Sequence, residues 1–136
     1  MNKVLLSVIL AGFGAQVLKL ILYWFKHKTL TIHDLIVTGG MPSSHSAFVV
    51  SLATAIYFHE GLSTAFAVSL VLALIILRDA FGVRRTVGNE GKDIQRLFKM
   101  HKIKSKFHYS LGHTPAQVAV GAVLGFLTTL LVQYFL

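Results

Sequence analysis

The sequence predicts an all-α membrane protein: a polytopic bundle of about four transmembrane helices plus an interfacial amphipathic segment, in one domain over residues 1–136. Composition comes first. Apolar residues make up 54% of the chain and charged residues 13%, where an ordinary soluble domain carries about 25% charged residues. The second observation is four apolar runs, and the third is that charge sorts to one side of them.

The first run, residues 4–25, is interrupted only by Gln16 and Lys19. It follows a short Met1-Asn2-Lys3 start, as a signal peptide would. No small-residue cleavage site follows it, however, and it is long for a signal core, so a retained helix is expected. The second run, residues 46–58, reaches spanning length only if its helix starts at about Pro42, because a helix rises about 1.5 Å per residue and the hydrocarbon core is about 30 Å thick. The third, residues 62–81, is uninterrupted until Arg78-Asp79, and the fourth, residues 114–136, contains no charge. Between the last two, residues 87–109 are polar. There Ile94, Leu97, Phe98 and Met100 form an apolar stripe among Lys and Arg, the pattern of a helix lying on anionic headgroups.

Four spans place both termini on one side and the loops 26–45 and 78–113 on the other. Twelve of the thirteen Lys and Arg residues belong to the loop side, and only Lys3 lies opposite. The positive-inside rule then puts the loops in the cytoplasm. With no Cys, a disulfide scaffold, a cysteine zinc site and a thiol nucleophile are excluded. The net charge of +8 suits anionic lipid or a phosphate-bearing substrate. Nucleic acid is not expected, because no recognition module is present and the basic run abuts the spans.

Three motifs gather on the loop side. In Gly39-Gly40-Met41-Pro42-Ser43-Ser44-His45-Ser46, glycines permit close backbone approach, and Pro and Ser mark a helix start whose amides form an anion site. His45 lies in that first turn. In Arg78-Asp79-Ala80-Phe81-Gly82-Val83-Arg84-Arg85, guanidinium forks suit phosphate oxygens. In Leu111-Gly112-His113-Thr114-Pro115-Ala116-Gln117, a Gly again precedes a His, Thr114 is a cap, and Gln117 shares a helical face with His113. Singly, each also reads as helix capping or membrane flanking. Together they put two histidines among basic residues at one membrane surface. Imidazole can attack phosphorus, imidazolium can protonate a leaving alkoxide, and cations can neutralise the transferring phosphoryl group, with no metal or other cofactor required.

The segments GGMPSSHSA, DAFGVRR and LGHTPAQV resemble the type 2 phosphatidic acid phosphatase (PAP2) superfamily, in its small divergent bacterial branch. The resemblance implies a membrane phosphatase that works through a phosphohistidine, with His113 as nucleophile and His45 as the acid for the leaving group. Pro42-Ser43-Ser44-His45 matches the superfamily's P-S-G-H except for Ser44. Gln117 stands where S-R-x5-H-x3-D has Asp; it could hold an imidazole tautomer but not stabilise an imidazolium. The Arg of that motif is replaced by Phe107. Lys19 and Lys26 keep the spacing of K-x6-R-P. Phosphate binding is therefore expected from Lys19, Lys26, Ser43, Ser44 and Arg84.

The resulting expectation is hydrolysis of a lipid phosphate monoester or diphosphate, of the phosphatidylglycerophosphate or phosphatidate type, on the cytoplasmic face. The alternatives are a non-catalytic lipid-phosphate binding or scaffold protein and a small transporter subunit, the latter suggested by Lys19. Gly121 and Gly125 form a G-x-x-x-G pair on the stripe of His113 and Gln117. They are expected to seat the last span inside the bundle, with a homodimer through them the lesser expectation.

Overall fold

A computed structural model of the chain describes residues 2–28, 40–104 and 112–136. Gly39, Phe107 and Leu111, used in the motif reading, lie outside these. The described residues form five α-helices and no strand: α1 Lys3–His27, α2 Ser44–Glu60, α3 Thr64–Phe81, α4 Val83–Met100 and α5 Pro115–Phe135. The helix starts follow capping chemistry. Asn2 accepts from the Val4 amide, Ser43 from Ser46, Ser63 from Phe66 and Thr114 from Gln117.

Three stretches, Lys3–Lys26, Thr64–Met100 and Pro115–Phe135, are long and apolar enough to cross a membrane. The second predicted run differs from the other spans. Its helix starts at Ser44 rather than Pro42 and has 17 residues, a rise of about 25 Å, short of the hydrocarbon core. It is the central helix, packed against α1, α3 and α5, so protein rather than lipid surrounds most of it. The polar segment also starts earlier than residue 87: α4 follows α3 with Gly82 alone between them.

Small and hydroxylated side chains form the interior, and large apolar ones face outward. The buried stripe of α1 is Ser7, Ala11, Ala15 and Lys19, each four residues from the next. On α2, Ala47, Ser51 and Ala55 are fully buried. Leu5, Phe13, Val68, Ile75, Val123 and Leu131 are exposed, as residues in contact with lipid should be. In hydrocarbon, burying a leucine gains little, and association comes from close packing and interhelical hydrogen bonds. Both are present where α5 meets α2. A Cβ added to Gly121 would collide with the Ser43 carbonyl oxygen, and one on Gly125 with that of Ala47. One turn further, the Ser51 and Thr129 hydroxyls lie 2.8 Å apart, and Thr129 also donates to the Gly125 carbonyl. Gly12 makes the equivalent approach on α1, where the Phe48 ring covers it.

The glycine pair therefore works inside the chain. Replacing Gly121 with Leu must force α2 and α5 apart, and overpacking of this kind costs about 3 kcal/mol. A lower melting temperature in detergent is expected for Gly121→Leu. Gly14→Leu, at a position with open space around it, should match the wild type. Equal melting temperatures for the wild type and Gly121→Leu would contradict the seam.

Candidate functional site

Backbone contacts draw the three motifs to one end of the bundle. The Ser43 amide donates to the Gln117 carbonyl at 3.3 Å, which ties the start of α2 to the first turn of α5. The His113 amide donates to the Ala80 carbonyl at 3.1 Å, which ties the residue before the α5 cap to the last turn of α3. Gly112 lies flat on the Arg84–Arg85 backbone, where any Cβ would collide. Gly40, at φ +119°, passes over the aliphatic stem of Lys19; a Cβ there would sit 3.9 Å from it.

His113 is buried at 4% exposure and Lys19 at 6%. Lys19 continues the stripe that faces the other helices, so its charge points into the bundle rather than along the lipid boundary. His45, in the first turn of α2, is exposed. His113 lies within electrostatic reach of Lys19, His45 and Arg84, and His45 within reach of Arg84, Lys19 and Asp79. Burial, first of all, holds the His113 imidazole below its ordinary value of 6.5, and the charges of Lys19, His45 and Arg84 push it the same way. A neutral imidazole keeps the lone pair that a nucleophile needs.

Lys19 and Lys26 line one cavity of about 450 Å³ with Leu22, Tyr23, Gly40, Met41 and Gln117. Two cations seven residues apart on one helix thus share a hollow floored by a glycine. Ser43 is fully buried, and its Oγ accepts from the Ser46 amide at 3.4 Å and from the Ser46 hydroxyl at 2.9 Å. Its hydroxyl is thereby committed to the helix start. Ser44 opens α2 beside His45. Gln117 takes part in the helix cap. Its Oε1 accepts the Thr114 amide at 2.9 Å, and its own amide donates to Thr114 Oγ1 at 3.3 Å. This is a reciprocal capping box, so Gln117 shapes the loop that carries His113.

Asp79 adjoins Arg78 in the sequence, but in the fold it pairs with Arg84, Nε to Oδ2 at 2.6 Å, while Arg78 lies over the Phe81 ring. No periodic signal could have found this pair, since residues five apart are not neighbours on a helix; the break at Gly82 brings them together. The tight seat of Gly112 was likewise hidden, because it depends on a distant backbone.

A family model described as the divergent PAP2 family matches residues 1–128. An uncharacterized membrane protein of Bacillus subtilis, YuiD, is 38% identical over 152 residues, covering 98% of this chain and 96% of the relative. No solved structure matches the chain. The outward-facing apolar helices, the convergence of the motifs and a family match over nearly the whole length agree: this chain is a membrane protein and belongs to the divergent PAP2 family.

Proposed function

We propose that the chain is a membrane phosphatase that hydrolyses a lipid phosphate monoester or diphosphate through a phosphohistidine. The observation that carries this reading is the grouping of buried His113 and buried Lys19 with His45 and Arg84 at one end of the bundle, beside a hollow lined by two lysines. His113 attacks phosphorus, and a P–N bond forms as the P–O bond to the lipid breaks. His45, which is exposed, gives its proton to the leaving oxygen, which departs as the lipid alcohol from a monoester or as the lipid monophosphate from a diphosphate. Neutral His45 then takes a proton from water. That water attacks phosphorus, breaks the P–N bond and releases phosphate, restoring both histidines. Lys19, Lys26 and Arg84 balance the charge on the phosphoryl oxygens. The hollow lies at the membrane surface, where a headgroup presents itself. The basic bias of that face supports a cytoplasmic site and substrates of the phosphatidylglycerophosphate or phosphatidate type. Lys92, Arg96 and Lys99, on one exposed face of α4, suit anionic headgroups around it.

A non-catalytic lipid-phosphate binder is the second reading. The engagement of Gln117 in the cap favours it, since the carboxylate of the PAP2 pattern has no replacement at that position.

Phosphate release from a short-chain lipid phosphate by purified protein, with EDTA present, separates the two. His113→Ala is expected to lower kcat by about a thousandfold or more. His45→Ala should cost about 100-fold to 10,000-fold on an alkyl ester and far less on a nitrophenyl ester, whose leaving group needs no proton. Wild-type activity in the His113 variant would refute the assignment. A second check is the titration of His113 by NMR. Its midpoint is expected below 6.5 and should rise when Lys19→Met removes a neighbouring cation. A wild-type midpoint at or above 6.5 would contradict the buried, cation-flanked site.

A further inference from the structure

The last turn of α3 carries two anchors. The Ala80 carbonyl holds the His113 amide, and the preceding residue, Asp79, holds the Arg84 side chain. The second anchor depends on Gly82. Its backbone breaks the helix at φ −97°, ψ −99°, and a Cβ there would lie 2.7 Å from the Arg78 carbonyl oxygen. The helix is interrupted there, and Arg84 meets Asp79 across the break. Gly112 then rests on the Arg84–Arg85 backbone, so the residue before the buried histidine is seated on the residue that Asp79 holds. Asp79 is also the acidic side chain, among the described residues, within electrostatic reach of a motif histidine. Of the other described acids, Asp93 pairs with Arg96 along α4, Glu90 lines a separate hollow with Arg78 and Thr86, and Glu60 lies at the far end of α2.

We propose that Asp79 is the positioning residue of the phosphate site: its carboxylate takes the Nε–H of Arg84 and turns the Nη1–Nη2 edge of the guanidinium toward the anion held beside His113. The physical ground is the shape of the guanidinium. It offers donors along two edges, and an anion can use either one. With Nε committed to Asp79 at 2.6 Å, the side edge is closed and only the end-on edge remains. A long arginine that is half exposed otherwise samples many rotamers, and fixing it beforehand removes that entropy from binding. The site thus recruits its orienting carboxylate from the end of α3, while the residue four after His113 serves the helix cap.

The proposal rests on the phosphate-site reading, not on turnover, so its test is binding. Affinity for inorganic phosphate is measured by calorimetry in detergent for the wild type, Asp79→Asn, Arg84→Ala and the double variant. Asp79→Asn removes a negative charge, so a role in bulk charge alone would make phosphate bind more tightly. Positioning predicts the opposite: about tenfold weaker binding, the size of one well-oriented charge-assisted contact. It also predicts no such weakening in the Arg84→Ala background, and partial recovery in Asp79→Glu. Equal or tighter binding by Asp79→Asn would overturn the proposal, as would the same loss with and without Arg84. If Asp79→Asn does not fold, Arg84→Lys gives the answer. Its three donors share one tetrahedral nitrogen, so it cannot pair with Asp79 and still present two parallel, coplanar donors to the anion, and binding should fall to near the Arg84→Ala level; wild-type affinity there would overturn the proposal. A wild type that binds phosphate with this pattern yet hydrolyses no lipid phosphate would refute the enzyme reading and uphold Asp79. A wild type that binds no phosphate would refute both.

Discussion

The contact between α2 and α5 is the constraint on which the rest depends. Two glycines and two hydroxyls let the backbones approach until Gly121 and Gly125 lie on the carbonyls of Ser43 and Ala47. In lipid there is little gain from hiding leucine, so close approach and the hydrogen bond of Ser51 with Thr129 must hold the helices. The consequence reaches beyond stability. The same seam ends in the Ser43–Gln117 backbone bond, which fixes the first turn of α2 against the first turn of α5. His45 belongs to the first of those turns, and His113 immediately precedes the Thr114 cap of the second. Packing that is silent chemically therefore helps set where the two histidines of the proposed chemistry stand relative to each other.

Around this seam the polarity of a soluble protein is turned inside out. Leu, Ile, Val and Phe cover the outside, and Ser, Ala, Gly and Thr fill the centre. A central helix of only 17 residues is tolerated because α1, α3 and α5 shield it, so it need not match the bilayer by itself. This arrangement also leaves room for a buried Lys19. On the lipid face a charge costs several kcal/mol, whereas on the inner stripe, at the end where Gly40 passes over it, Lys19 borders the hollow that the proposed function assigns to the phosphate.

Much of this was legible in the sequence. The spans were visible because lipid demands long apolar runs, and the helix starts because Ser, Thr and Asn caps are local. The inward role of the glycine pair was also readable: Gly121 lies eight and four residues after His113 and Gln117, on one stripe. The meeting of His45 with His113 followed from topology alone. What could not be read depended on contacts distant in sequence or on competition for one atom. Gln117 has two uses open to it by spacing, and only the fold shows its Oε1 on the Thr114 amide. Asp79 has Arg78 beside it in sequence, and the break at Gly82 hands it Arg84 instead. The early start of α4 was hidden in the same way, since Gly82 alone separates it from α3.

The account turns on covalent chemistry at one nitrogen, and that can be observed directly. The purified protein is mixed with a lipid phosphate radiolabelled on phosphorus, quenched in alkali, and digested for mass mapping. Alkali-stable, acid-labile label on His113 is the result the account predicts, absent from His113→Ala. Turnover of the lipid with no label on His113, or with label on another residue, would contradict it.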